Sequence, residues 1–248
     1  MNLLIDSGNS FIKWALAKDG ALRLESQCLS SSASSLYEIW SSYEIPARVI
    51  VANVAGDRVA GEISKAVKVL WQLEPEYVES RQHCCGLENS YHAPGQLGVD
   101  RWLAMIAAQQ MVNGPAIILD CGTAITIDLV NEKGAFAGGV IMPGLNMAFR
   151  SLSANTDALD EIGSIHKNIS PVAQTTDDGV IAGVMLGIVG GIEKVVKEQA
   201  ALVKDTATVI MTGGDAEKLL PHLSVMVVIQ PDLVLQGLQI VASLPVKA

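Results

Sequence analysis

The first thirty positions alternate between short apolar runs and turn chemistry, which predicts successive strands. Asn2 to Asp6 is an apolar run, Ser7-Gly8-Asn9-Ser10 reads as a turn, and Phe11 to Ala17 resumes an extended pattern. Lys18-Asp19-Gly20 turns again, and Ala21 to Leu29 makes a third strand. Alternation along the second strand puts Ile12, Trp14 and Leu16 on a packed face and Phe11, Lys13 and Ala15 on the other. Lys13 then reaches back toward the turn at Asp6. A Ser-rich segment, Ser30 to Ser35, caps a helix running to about Tyr43; Arg48 to Val54 is a buried strand, and a helix follows from Asp57 to about Lys68.

The same order returns later. Ala116 to Asp120 is a strand, Cys121-Gly122-Thr123 a turn, and Ala124 to Val130 a strand; Asn131-Glu132-Lys133-Gly134 turns into a third strand ending near Met142. Helical segments follow, then a strand from Thr208 to Met211, a helix from Ala216, a short strand near Val225 to Val228 and a last helix from Asp232. The letters repeat as well: LLIDSGNSFIKWAL and IILDCGTAITIDLV share an apolar run, an Asp, a Gly two positions on and a second strand. A supersecondary unit recurring at half the chain length predicts duplicated α/β lobes, residues 1–114 and 115–248.

Composition narrows the class. Half of the 248 residues are apolar and only 4% are aromatic, as expected of sheets covered by helices. A net charge of -9 with no basic cluster makes nucleic acid a poor partner. The amino terminus has no signal-peptide pattern, and the apolar tract from Ile181 to Ile192 is broken by four glycines and reads as a closely packed buried helix. Of the four cysteines, Cys84 and Cys85 are adjacent without a partner pair at zinc spacing, so free thiols in a cytoplasmic protein are expected.

Three features carry candidate chemistry. The Asp6 loop delivers a carboxylate to a hairpin tip. There Gly8 admits close approach of a phosphate, Asn9 and Ser10 supply donors, Lys13 adds a positive charge, and Asp6 is placed to hold magnesium through water. An ordinary hairpin would use Asp and Asn in the same way. The Asp120 loop is the second jaw, with Gly122 and Thr123 offering amides and a hydroxyl. Asp100 and Arg101 open a helix after Pro94-Gly95; they read either as a cap and a surface Arg or as a base and an anion clamp. Thr212-Gly213-Gly214-Asp215 follows a strand and opens a helix, where amides can meet a nucleotide.

Five motifs in order, DSGNSFIK (Asp6–Lys13), GVDR (Gly98–Arg101), DCGTAITID (Asp120–Asp128), GGVIMPG (Gly138–Gly144) and TGGD (Thr212–Asp215), make the chain similar to type III pantothenate kinases over nearly its whole length. That family lies in the acetate and sugar kinase, Hsc70 and actin superfamily. The resemblance implies two ribonuclease-H-like lobes, mixed sheets flanked by helices. It implies ATP-dependent conversion of pantothenate to 4'-phosphopantothenate, the first step of coenzyme A biosynthesis, by in-line phosphoryl transfer in a cytoplasmic homodimer. Magnesium accompanies ATP, and potassium or ammonium is the monovalent cation.

Carried over by position, Asp100 matches the base, and Tyr91, Gly98, Val99, Asp100, Arg101 and Thr176 match pantothenate contacts. Asp6, Ser7, Gly8, Asn9, Ser10, Lys13, Gly122 and Thr123 match the ATP site, and Asp120 matches the monovalent-cation ligand. Thr175, next to Thr176, is the alternative substrate contact. The sequence departs from the family pattern at Ser10, where Thr is common, and at Thr156 to Ile162, where a Pro is common. The rival readings are a regulator like the Bvg accessory factor proteins, or a kinase of another small hydroxyl substrate. Pantothenate and ATP are the expected small-molecule partners, with no nucleic acid and no membrane, and the acidic charge argues against a regulator that binds DNA directly.

Overall fold

A computed structural model describes residues 1–153, 169–204 and 206–244; the departure at Thr156 to Ile162 lies outside these. The chain divides into two compact units, Met1–Met111 with Asp232–Ala248, and Val112–Pro231.

The first unit opens with β1 (Asn2–Ser7), β2 (Phe11–Lys18) and β3 (Ala21–Leu29), an antiparallel meander. A 3-10 segment, Ser30–Ser35, leads into the short α1 (Leu36–Trp40), then β4 (Arg48–Asn53), α2 (Asp57–Trp71) and β5 (Glu76–Tyr77). β4 lies parallel to β1, and β5 parallel to β4, so the sheet runs β3-β2-β1-β4-β5. A small hairpin, β6 (His83–Cys84) and β7 (Leu87–Asn89), precedes α3 (Val99–Met111).

The second unit repeats the plan. It holds β8 (Ala116–Cys121), β9 (Ala124–Val130), β10 (Ala135–Pro143), α4 (Leu145–Ser153), α5 (Thr176–Leu202), β11 (Thr208–Thr212), α6 (Ala216–Leu219) and β12 (Val228–Ile229). Its strands run β10-β9-β8-β11-β12, with β8-β9-β10 antiparallel and β8, β11 and β12 parallel. Order and direction match the first unit strand for strand. The chain ends in α7 (Leu233–Ala242), which packs on α3, β1 and β4. Boundaries of 1–114 and 115–248 put this last helix in the second lobe; its contacts put it with the first unit. There Gly237 lies so close to α3 that a Cβ would sit 2.1 Å from the Leu103 carbonyl oxygen.

Alternation along β1 explains both faces of the first sheet. Leu3 and Ile5 join Ile12, Trp14, Val49 and Val51 under α1 and α2, with Trp40 packed against both Trp14 and Trp71. Leu4 and Asp6 point the other way. Ala15 keeps the face expected of it, opposite Leu4 of β1, and is fully buried because α7 packs against β1 and β2 and covers that face too. In the second unit Ile117, Leu119 and Cys121 of β8 face α5, and Asp120 faces away. α5 buries only part of its circumference: Ile181, Met185, Ile188, Ile192 and Val196 enter the core, while Gly183, Gly187 and Gly190 are exposed. Among described residues it is the one helix long and apolar enough to cross a membrane, a property it shares with core helices.

Candidate active site

In both units the hairpin between the first two strands ends a buried strand with an Asp on the face away from α1 and α2, or from α5. Asp6 stands opposite Lys13 on β2 and beside Ala52 on β4. Asp120 stands opposite Thr126 on β9 and beside Thr212 on β11. Directly paired side chains share a face, so Asp6 and Lys13 project together. The connection is closed by Gly8 N–H donating to Phe11 O (3.0 Å) in the first hairpin and Gly122 N–H to Ala124 O (3.2 Å) in the second, which is one residue tighter.

Ser30 braces the Asp6 loop from outside. Its backbone N–H donates to Ser10 O at 3.0 Å and its hydroxyl to Gly8 O at 2.6 Å, while Arg58 donates to the Ser30 carbonyl at 3.0 Å. Asn9 and Ser10 are left at the exposed tip. Ser7 is fully buried, and its hydroxyl has no hydrogen-bond partner among the described residues. Lys13 pairs with Asp232 at 3.3 Å, both side chains partly exposed. Asp232 holds a left-handed φ of 54° just before α7. No local signal could have paired residues 219 positions apart.

The Asp100 segment is built on Asn89, which the sequence reading missed. Asn89 is fully buried; its amide donates to Pro94 O (3.1 Å), its side-chain oxygen accepts from Tyr91 N–H (3.0 Å), and its backbone exchanges bonds with Gln82. This belt carries Tyr91 to Arg101, whose Nη1 donates to the Tyr91 hydroxyl at 3.2 Å. Arg101 is 7% exposed. At the start of α3, Trp102 N–H donates to Gly98 O at 3.0 Å, and Asp100 Oδ1 accepts from Arg101 N–H at 2.8 Å. A Cβ on Gly98 would meet that same carboxylate oxygen at 2.5 Å, so glycine is required for Asp100 to fold back here. Val99 is buried beside it. Tyr91, Gly98, Val99, Asp100 and Arg101 are thus brought into one cluster.

The Asp120 loop is held by the glycine motifs on either side of it. A Cβ on Gly213 (φ +96°) would lie 2.4 Å from the Cys121 carbonyl carbon and 2.5 Å from Asp120 Oδ1. One on Gly144 would lie 2.4 Å from the carbonyl oxygens of Gly122 and Thr123. Asp215 N–H donates to Cys121 O at 2.9 Å, and Gly144 N–H to Thr123 O at 3.2 Å. Burial first, and then the nearby carboxylates of Asp120 and Asp215, push the Cys121 thiol above its ordinary range, which makes it packing material. Thr175 caps α5, accepting from Asp178 N–H at 3.1 Å and donating to the Asp178 carboxylate at 2.7 Å; Thr176 is exposed in the first turn. Among described residues no cluster of three or more His, Cys, Asp or Glu has metal-site geometry.

Two hairpins of like build, each ending a buried strand with an Asp, on sheets of one topology define an α/β protein with the duplicated fold of actin-like ATPases and sugar kinases. Solved structures share that fold. The chain superposes with TM-score 0.60 on a Campylobacter jejuni protein described as a Baf family transcriptional activator, at 21% identity and covering 96% and 95% of the two chains. It matches the ethanolamine utilization protein EutJ of Carboxydothermus hydrogenoformans with TM-score 0.52, at 15% identity and covering 96% and 88%.

The family model for type III pantothenate kinase matches residues 2–198. A type III pantothenate kinase of Nitrosococcus oceani is 36% identical, the alignment covering 98% of this chain and 94% of the relative. That of Herminiimonas arsenicoxydans is also 36% identical, over 98% and 97%. The chain belongs to the type III pantothenate kinase family.

Proposed function

We propose that this chain transfers the γ-phosphoryl group of ATP to the hydroxyl of pantothenate, giving 4'-phosphopantothenate and ADP, with Asp100 as the base. The observation that carries the reading is the Gly98–Arg101 cluster in a member of this family. A carboxylate held at a helix start by Arg101 N–H has its second oxygen placed to accept a proton, and the buried Arg101 beside Tyr91 suits an anionic substrate carboxylate. In the step, Asp100 takes the hydroxyl proton as the oxygen attacks the γ-phosphorus; the bond to the β–γ bridging oxygen breaks, and ADP leaves with that electron pair.

The Asp6 hairpin fits the phosphates. Its tip is exposed and small, and Lys13 projects with Asp6. A divalent ion bound with ATP neutralises phosphate charge, and Asp6 would hold it through water. Gly122 and Thr123 supply the second phosphate contact, and Asp120 would hold the monovalent cation, potassium or ammonium. Thr176 is the substrate contact in this reading, since the neighbouring Thr175 hydroxyl is engaged as a cap.

A cytoplasmic homodimer completes the reading, and α5 supplies its surface. Gly183, Gly187 and Gly190 share the exposed face, and a Cβ at any of them would meet nothing within 4 Å. Nothing among the described residues calls for glycine there, although each costs the helix about 1 kcal/mol relative to Ala. Close approach of a second helix accounts for them. The purified protein, given ATP, magnesium, potassium and pantothenate, forms ADP and 4'-phosphopantothenate in equal amounts. Well-folded protein that forms neither overturns the proposal, as does turnover that another hydroxyl substrate supports better.

A further inference from the structure

Cys84 and Cys85 lie outside the site described above, at the tip of the β6–β7 hairpin. Cys84 pairs with Leu87, so Cys85 and Gly86 are the two central turn residues, with φ of +53° and +86°. Both signs positive is the arrangement of a type I′ hairpin, which favours Asn or Gly at its first central position. A cysteine there is held in backbone that most side chains avoid, and such outliers point toward function. The turn aims both side chains together: the sulfurs stand 3.4 Å apart, and both residues are half-buried, within reach of small solutes.

That spacing suits one particular chemistry. Consecutive Cα atoms are about 3.8 Å apart across a trans peptide, whereas disulfides ordinarily need about 4.4–6.8 Å, so a direct Cys84–Cys85 bond would require the turn to deform. A single soft atom has no such difficulty. Two bonds of about 2.3 Å each, as zinc makes to sulfur, meeting at a near-tetrahedral angle, span roughly 3.4–3.8 Å. The turn therefore already holds its sulfurs at the span such an atom bridges. Burial, reinforced by the neighbouring Cys84 sulfur, pushes the Cys85 thiol up to about 12, so it stays protonated and slow to oxidise at neutral pH.

We propose that Cys84 and Cys85 form a preorganised dithiol site for a soft electrophile that makes two sulfur bonds from one atom, the class represented by monosubstituted trivalent arsenicals. With an arsine oxide the step balances without redox change. Both S–H bonds break, two As–S bonds form, and the oxide oxygen leaves as water carrying the two protons.

The test is phenylarsine oxide added to the intact protein and followed by whole-protein mass. One adduct is expected per chain, retained in excess monothiol and removed by a dithiol, because two linked thiols act at high effective concentration. Retention in monothiol should fall by about tenfold or more in Cys84→Ser and in Cys85→Gly, since each leaves a single sulfur. Glycine at position 85 suits the left-handed backbone, so that variant keeps the turn. Cys28→Ser should retain the adduct fully. An adduct that persists in both Cys84→Ser and Cys85→Gly, or wild-type protein that keeps none against monothiol, overturns the proposal.

Discussion

Arg101 donates from Nη1 to the Tyr91 hydroxyl at 3.2 Å, and its guanidinium carbon lies 6.0 Å from the centre of the same ring. The hydroxyl bond is the closer contact of the two, and it fixes which way a buried cation points. Tyr91→Phe keeps the ring and removes the acceptor. Hydrogen bonds to charged groups contribute about 1.5–3 kcal/mol, so KM for pantothenate should rise about tenfold with kcat little changed. Steady-state kinetics read this directly. An unchanged KM would detach Tyr91 and Arg101 from substrate recognition.

Asp100→Asn tests the base. The amide oxygen can still accept from Arg101 N–H, so the start of α3 keeps its geometry and thermal melting stays near that of the parent. What is lost is proton acceptance, worth about 10²–10⁴-fold in rate. A kcat within a few-fold of wild type would reassign Asp100 to capping alone.

The architecture was legible because it is written twice. Period-two runs around Asp6 and Asp120 gave both meanders, and the repeat gave the shared topology. Of the candidate site, the local groupings were legible, the Gly98–Arg101 helix start and the two Asp hairpins. It was not legible where contacts are distant in sequence. Asn89 sits in a segment without periodicity, and Lys13 meets Asp232 only because α7 returns to the first unit. Ala15 is buried because α7 covers the face it shares with Leu4, which alternation along one strand cannot foresee. The glycine-broken Ile181–Ile192 tract reads as a closely packed buried helix; composition does not reveal that Gly183, Gly187 and Gly190 fall on an exposed face.

Gly213→Ala asks whether the Asp120 loop depends on its glycine support. The added methyl would lie 2.5 Å from Asp120 Oδ1 on a backbone with φ of +96°. Overpacking and backbone strain together should destabilise by about 2–3 kcal/mol, read by denaturant unfolding. If Asp120 holds the monovalent cation, the variant should also lose its preference for potassium over sodium. Gly214→Ala, with open space at its Cβ, is the matched control. Equal behaviour of the two would discount the close contact.

Arg48 grips both oxygens of Glu76, at 2.8 and 2.7 Å, and donates to the Ala242 carbonyl at 2.8 Å, joining β5 to the end of α7. The Arg48 hydrogen bonds hold the Glu76 carboxyl below the ordinary carboxylate range. A carboxylate whose folded pKa is depressed stabilises above its unfolded pKa, near 4.3, and loses that contribution as pH falls through the folded value. Wild type should therefore lose about 0.5–1 kcal/mol on the acid side of pH 4 from this partly exposed pair. Glu76→Gln should lack that increment, so the difference between the two proteins narrows as pH drops. A difference independent of pH between 3 and 7 would rule out the ion pair as its source.

The glycine face of α5 gives the last prediction, and it separates folding from assembly. Gly183→Ala places a methyl where nothing lies within 4 Å, on a residue well inside a helix of 27 residues. Within one chain the change should stabilise by about 0.5–1 kcal/mol through helix propensity. If a second helix packs against this face, the same methyl should hold the two apart and weaken association. Gly183→Leu should do so strongly while leaving the chain folded. Sedimentation across protein concentration should show a dimer for wild type, a weaker dimer for Gly183→Ala and a monomer for Gly183→Leu. A Gly183→Leu variant that stays dimeric at every concentration would move the interface elsewhere and leave these glycines without a structural reason.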